Sequence, residues 1–153
     1  MSLKTRISDD MKAAMRSKET QKLSAIRMLI AAVKQKEIDE QIELDDAQAL
    51  AVIEKQIKQR RDSIEQYDKA GRDDLAKVER FELDVLSAYL PAQASDEEIA
   101  AAIEAAIAKT GATGMRDMGK VMGILKTELA GQADMGAMSG RVKTVLATKA
   151  SAE

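Results

Sequence analysis

The residues of this chain with most to offer a ligand lie between Gly114 and Lys143. Set on a helix at about 100° per residue, Met115, Met118, Val121, Met122, Leu125 and Leu129 share one side. Arg116, Gly119, Lys120, Gly123 and Thr127 take the other, with Lys126 on its flank. A glycine inside a helix is worse than alanine by roughly 0.5–1 kcal/mol, yet two stand here, a turn apart and beside cations. A bare backbone ridge next to positive charge can come very close to a phosphate chain. It can equally let another helix pack tightly, so the spacing by itself leaves both chemistries open.

Other chemistry finds little support. With no His and no Cys, the commonest general base and the thiol nucleophile are missing. No nucleophile–base set stands out among the serines, and neither a P-loop nor a dinucleotide-type glycine loop is present. The glycine pair Gly119 and Gly123 falls inside a helix rather than between strand and helix. Close carboxylates such as Glu79 and Glu82, or Asp73 and Asp74, read as solvated groups. The expectation is no catalytic residue, no metal site, no cofactor and no enzyme activity for the chain alone.

Charge narrows the choice. The net charge is −2 and the pI about 5.4, so there is no global positive field to draw in nucleic acid, and any such contact must be local. Between Lys109 and Lys149 seven cations stand against three acids, a local excess of four inside an acidic chain. Taken alone, this excess fits an ordinary solvated face better, but it is also the strongest hint of a polyanion surface, with Arg116, Lys120, Lys126, Arg141 and Lys143 as its candidate members. A second basic stretch, Lys55, Lys58, Arg60 and Arg61, is interleaved with Glu54, Asp62 and Glu65 and reads as an exposed helix face. Arg60 is the exception. It stands where the apolar row needs a hydrophobe, which predicts a carboxylate between helices, Glu79 or Glu82, as its partner.

The elements that must hold these residues are helices. Aromatic residues make up only 2% of the chain, so the core is left to Leu, Ile, Val, Ala and Met, which suits helices better than sheets. The fold class is all-α. Leu3–Arg16 carries Leu3, Ile7, Met11 and Met15 at i, i+4 spacing. Gln21–Glu40 carries Leu23, Ile26, Ile30 and Val33, with Met28 and Leu29 widening the stripe. Asp45 or Asp46 caps a long third helix whose buried face is Leu50, Ile53, Ile57, Ile64 and Tyr67, and Gly71 stops it. Leu75–Leu90 follows, with Val78 and Phe81 among its apolar positions, and Pro91 ends it. Ala92–Ala94 reads as a linker before the Ser95/Glu98 capping box. Asp96–Lys109, Met115–Leu129 and a last helix from the cap Asp134 to about Thr148 complete the chain, with Lys149–Glu153 frayed. The methionines Met115, Met118, Met122, Met135 and Met138 are expected in the core of this tail. Two domains are expected, residues 1–94 with about four helices and residues 95–153 with three.

The tail pattern MGKVMG (Met118–Gly123), then GQAD (Gly131–Asp134) and a last helix with Val142 and Lys143, resembles the tail domain of the GatB/YqeY family. The N-terminal half is similar to the YqeY-type branch in LSAIRMLIAAVKQKEID (Leu23–Asp39), IKQRRDSIEQYDKAGRDDL (Ile57–Leu75) and AYLPAQ (Ala88–Gln93). The resemblance implies a helical N-terminal domain joined to a three-helix tail. In the B subunit of the glutamine-dependent tRNA amidotransferase that tail helps to hold tRNA, mainly by backbone and shape contacts. Carried over by position, the resemblance implies Lys120 as the best phosphate candidate, with Gly119 and Gly123 giving close access. Gly136 and Gly140 depart from a good helix pattern in the last helix, and the catalytic portion of the amidotransferase subunit is missing.

Three functions follow as expectations: an accessory protein that binds tRNA or other structured RNA, a helical adapter for a protein partner, or a stimulatory subunit of a glutamine-dependent amidotransferase. Neither DNA nor a membrane is expected as a partner. The chain has no cysteine, no signal-like apolar leader and no apolar run near the length of a membrane span, which sets the expected location as the cytoplasm.

Overall fold

The computed structural model describes residues 1–152. Among them the regular structure is helical throughout, with no strand: α1 (Leu3–Arg16), α2 (Thr20–Glu40), α3 (Asp46–Lys69), α4 (Asp73–Ser87), α5 (Asp96–Thr110), a 3-10 turn (Met115–Asp117), α6 (Met118–Glu128) and α7 (Met135–Ala152). No helix among the described residues is long and apolar enough to cross a membrane. The contacts divide the chain into two units, Met1–Leu90 and Pro91–Glu153.

In the first unit α1 lies on α2 and α3, and α4 packs along α3. Its core is Ile7, Ala14, Ile26, Leu29, Val33, Leu44, Val52, Ile53, Ile57, Leu86 and Tyr89. The expected row on α1 drifts out of this core. Each i, i+4 step overshoots a full turn by about 40°, so three steps carry Met15 well off the line set by Leu3. Met15 is 49% exposed, and Ala14 is buried in its place. α3 begins with a capping box between Asp45 and Gln48. It ends in a Schellman turn, with the N–H of Arg72 donating to Tyr67 O at 2.9 Å, that of Gly71 to Asp68 O at 3.2 Å, and Gly71 at φ +69°. Arg60 meets the carboxylates the apolar gap called for. Its Nε lies 2.8 Å from Glu82 Oε2 and 3.5 Å from Glu79 Oε2. These are charge contacts rather than aligned hydrogen bonds, since Arg60 Nε and Glu79 Oε2 are buried without a hydrogen-bond partner. Glu79 and Glu82 are therefore not the solvated groups their spacing suggested.

Helix α4 stops at Ser87, three residues before the position that Pro91 excludes from helical angles, and short turn bonds from Tyr89 and Leu90 carry the chain to the proline. This end is held to α1. Arg6 donates to Ala88 O at 2.9 Å and covers the Tyr89 ring at 4.9 Å, while the Tyr89 hydroxyl donates to Asp10 Oδ2 at 2.6 Å. Val78 and Phe81, which belong to the apolar positions of this helix, are exposed.

In the second unit the Ser95/Glu98 capping box forms with both of its bonds. Gln93 Nε2 donates to Gly131 O and Ala94 N to Gln132 O, each at 2.8 Å. The segment read as a linker is thus fastened within the second unit. The core is Ile103, Ala106, Ile107, Ala112, Val121, Met122, Leu125, Leu129, Met138, Val142 and Leu146. Met115–Leu129 is not one helix. The 3-10 turn at its start rotates Met115 out of the apolar row, leaving that side chain 45% exposed. The last helix continues through Lys149 to Ala152 instead of fraying, and Glu153 lies outside the described residues.

Candidate nucleic-acid interface

Helix α6 is built by its apolar row. Val121, Met122 and Leu125 are buried, and this fixes which arc of the helix meets solvent. Gly119, Lys120, Gly123 and Lys126 are exposed on that arc. At about 100° per residue Lys126 borders the glycine line on one side and Lys120 on the other. A Cβ built at Gly119 or at Gly123 meets nothing within 4 Å. Neither glycine has a positive φ. The backbone geometry does not demand glycine here, and neither does packing against the described residues.

A shallow groove of about 520 Å³ runs beside this ridge, with Gly119, Lys120, Gly123 and Thr127 from α6 and Lys109 and Thr110 from the end of α5 along its walls. The two threonine hydroxyls are turned back on their own helices, Thr127 donating to Gly123 O at 3.3 Å and Thr110 to Ala106 O at 2.9 Å. Positive charge on the groove comes from Lys109 and Lys120, while Glu128 at its far end sets a boundary for an anion. Lys109 belongs to the local charge excess but is not among the contacts expected from the sequence. Its place in the last turn of α5, next to the α5–α6 turn, was the available signal.

The other expected contacts divide. Arg116 is exposed on the 3-10 turn, and Lys143 is exposed on α7. Neither these two nor Lys120 and Lys126 forms an ion pair among the described residues. Arg141 is engaged: its guanidinium sits 3.4 Å from Asp96 Oδ1 and donates to Asp96 O at 3.2 Å, tying α7 to the start of α5. At the start of α6 the Thr113 N–H donates to Asp117 at 3.0 Å. That bond holds the Asp117 carboxyl below the usual carboxylate range, with the Gly114 N–H and the charges of Arg116 and Lys120 adding to it. Asp117 therefore stays ionised and offsets part of the positive charge around it. Gly136 stands in the first turn of α7, where its N–H donates to the cap Asp134 Oδ1 at 3.2 Å, and Gly140 is open to solvent. No group of three or more carboxylates among the described residues is placed to hold a metal ion.

The family model described as Yqey-like protein matches residues 4–146. The chain belongs to the YqeY-like protein family. Among curated proteins it is similar to Altered inheritance of mitochondria protein 41, mitochondrial, from Eremothecium gossypii, 41% identical over 102 residues that make up 65% of this chain and 56% of the relative. The protein of the same name from Vanderwaltozyma polyspora is 38% identical over 98 residues, 62% of this chain and 53% of the relative. That from Lachancea thermotolerans is 39% identical over 82 residues, 53% and 44% respectively. The chain thus spans about half the length of the curated relatives it matches. These relatives overturn the cytoplasmic expectation, because all three are named as mitochondrial. Composition could not have made this distinction. The lack of cysteine bears on redox conditions and does not separate one reducing compartment from another.

Proposed function

We propose that this YqeY-family chain is an RNA-binding accessory protein that holds tRNA or another structured RNA on the α6 face of its second unit. The observation that carries the reading is the open line of Gly119 and Gly123 between Lys120 and Lys126, with Lys109 across the groove. Two helix-weakening residues stand where neither the backbone nor the described packing requires them. A sugar–phosphate chain passing at backbone distance would use the missing side chains. Phosphate contacts of this kind fix the position of an RNA without reading its bases. The likeness of MGKVMG to the amidotransferase tail supports tRNA as the first RNA to test.

The experiment is a filter-binding titration of tRNA over a range of salt. Contact with about four phosphates gives a log–log slope of roughly −3 to −4. Lys120→Ala and Arg116→Ala should each weaken binding and flatten that slope by about 1. Affinity and slope unchanged in both variants would remove the site.

The same open backbone suits a close-packing helix, so a protein adapter is the second reading. Partners that remain bound after nuclease treatment would favour it over RNA. A role in stimulating amide transfer is tested by adding the chain to a glutamine-dependent amidotransferase and measuring ammonia transfer. A rise in rate is the result that reading requires.

A further inference from the structure

Helix α4 turns a partly uncovered face to solvent, on which Val85 is half-buried against the core of the first unit, and the residue pattern from Lys77 to Val85 is nearly symmetric about Phe81. At about 100° per residue Lys77, Val78, Asp84 and Val85 all fall within about 60° of Phe81 around the helix. Lys77 and Asp84 lie on one side of it, Val78 and Val85 on the other. Phe81, the one phenylalanine of the chain, is 38% exposed and Val78 is 51% exposed. Lys77 and Asp84 are exposed as well, and neither has an ion-pair partner among the described residues. Two shallow grooves of about 680 and 540 Å³ flank Phe81, sharing Thr20 and Gln21 as their opposite wall. They leave room beside the ring for side chains from outside.

The charges say what fits. Let a twofold axis pass between two antiparallel copies of α4 at the level of Phe81, perpendicular to the plane of their axes. Lys77 then stands opposite Asp84 of the second copy, and the same pair forms again at the other end. Val78 stands opposite Val85, and the two Phe81 rings meet at the axis. Because Lys77 and Asp84 share one side of the face, the rotation keeps opposite charges on the same side of the interface. This self-complementarity is what a twofold contact needs. An unrelated partner would give no reason for opposite charges at similar distances, four residues and three, on the two sides of one central aromatic.

We propose that α4 is a self-association face that pairs antiparallel with a second copy of this chain through Val78, Phe81 and Val85, with Lys77 and Asp84 closing both ends. One helix face buries little area, so the dimer is weak and depends on concentration.

Sedimentation of the full chain over rising concentration tests it. The unaltered chain should show a reversible monomer–dimer equilibrium. Lys77→Glu or Asp84→Lys turns two attractions into two repulsions, and each should weaken dimerisation by about tenfold or more. An equimolar mixture of the two variants should regain the dimer, because each reversed charge then faces its opposite. Both positions are exposed, and circular dichroism checks that the variants fold. The proposal is overturned by an unaltered chain that stays monomeric at the highest concentration, by single variants that associate as well as it does, or by a mixture as weak as each variant alone.

Discussion

Replacing both ridge glycines separates what the fold requires from what a ligand requires. Gly119→Ala with Gly123→Ala adds two methyl groups to α6 at positions where a Cβ has nothing within 4 Å. Neither position needs a left-handed backbone. The folded helix therefore gains the propensity difference without strain, about 0.5–1 kcal/mol per site and about 1–2 kcal/mol for the pair. Urea denaturation should show a higher midpoint with an unchanged slope. Filter binding of tRNA to the same protein should show the reverse, a loss of about tenfold, because the methyl groups hold a phosphate chain off the ridge and weaken its contacts with Lys120 and Lys126. Stability and binding thus move in opposite directions. A more stable variant with undiminished RNA affinity would falsify the ridge as the contact. A less stable variant would show that the ridge is already covered.

Two further outcomes concern the first unit. Arg60→Ala leaves Glu79 and Glu82 together between α3 and α4 with no cation. Loss of one partner from a buried ion pair costs about 3–5 kcal/mol, and these three side chains keep 12–19% of their exposure, so about 2–3 kcal/mol is expected in urea denaturation. Burial already pushes the Glu82 carboxyl upward, with Glu79 adding to the effect and Arg60 opposing it. A carboxyl raised in the folded state contributes most to stability when protonated and loses that contribution as the pH rises through its folded value. The deficit of the variant should therefore be largest near neutral pH and shrink on acidification. A deficit that is constant or grows toward acid would contradict this account of the cluster. Tyr89→Phe removes the 2.6 Å bond to Asp10 while keeping the ring under Arg6. A loss of about 1–2 kcal/mol in urea denaturation is expected for a hydrogen bond to a charged, partly solvated acceptor, and a neutral result would show that the Arg6 contacts with Ala88 O and the ring tie α1 to the end of α4 without the hydroxyl.

How much of this could be read from the sequence depended on how local the cause was. The caps at Asp45 and Ser95, the stop at Gly71 and the helix bounds of α1 follow from neighbouring residues, and they appear in the structure where the pattern set them. The Arg60 cluster could also be anticipated, because a cation in an apolar row needs a partner. The misses come from tertiary choices. Whether Met15, Val78 or Phe81 is buried depends on which neighbour covers the helix, and the tie of Gln93 and Ala94 to Gly131 and Gln132 spans nearly forty residues. The 3-10 turn at Met115 breaks a periodicity that looks continuous because Met115 in the turn and Met118 after it are good helix formers at apolar spacing. For the candidate site the sequence supplied the glycine–lysine spacing, and the structure added Lys109 and showed that Arg141 is tied to Asp96.

A sequence whose local preferences agree with its fold gives little reason to look outside the molecule, so the disagreements are the places to examine. There are two kinds here. Arg60 breaks the apolar row of α3, and the break is answered internally, by Glu79 and Glu82 across the α3–α4 contact. Gly119 and Gly123 break the helix propensity of α6, and among the described residues nothing answers them. An uncompensated cost on an exposed, positively flanked helix is what the proposed RNA contact would account for. The same logic applies to Phe81 and Val78, apolar groups left in water between charges that match a second copy of themselves. The two proposed faces lie on different units and involve different chemistry, a phosphate chain in one proposal and an identical helix in the other. They can therefore be disabled separately: Lys77→Glu should leave tRNA binding by the monomer intact, and Lys120→Ala should leave the monomer–dimer equilibrium where it was.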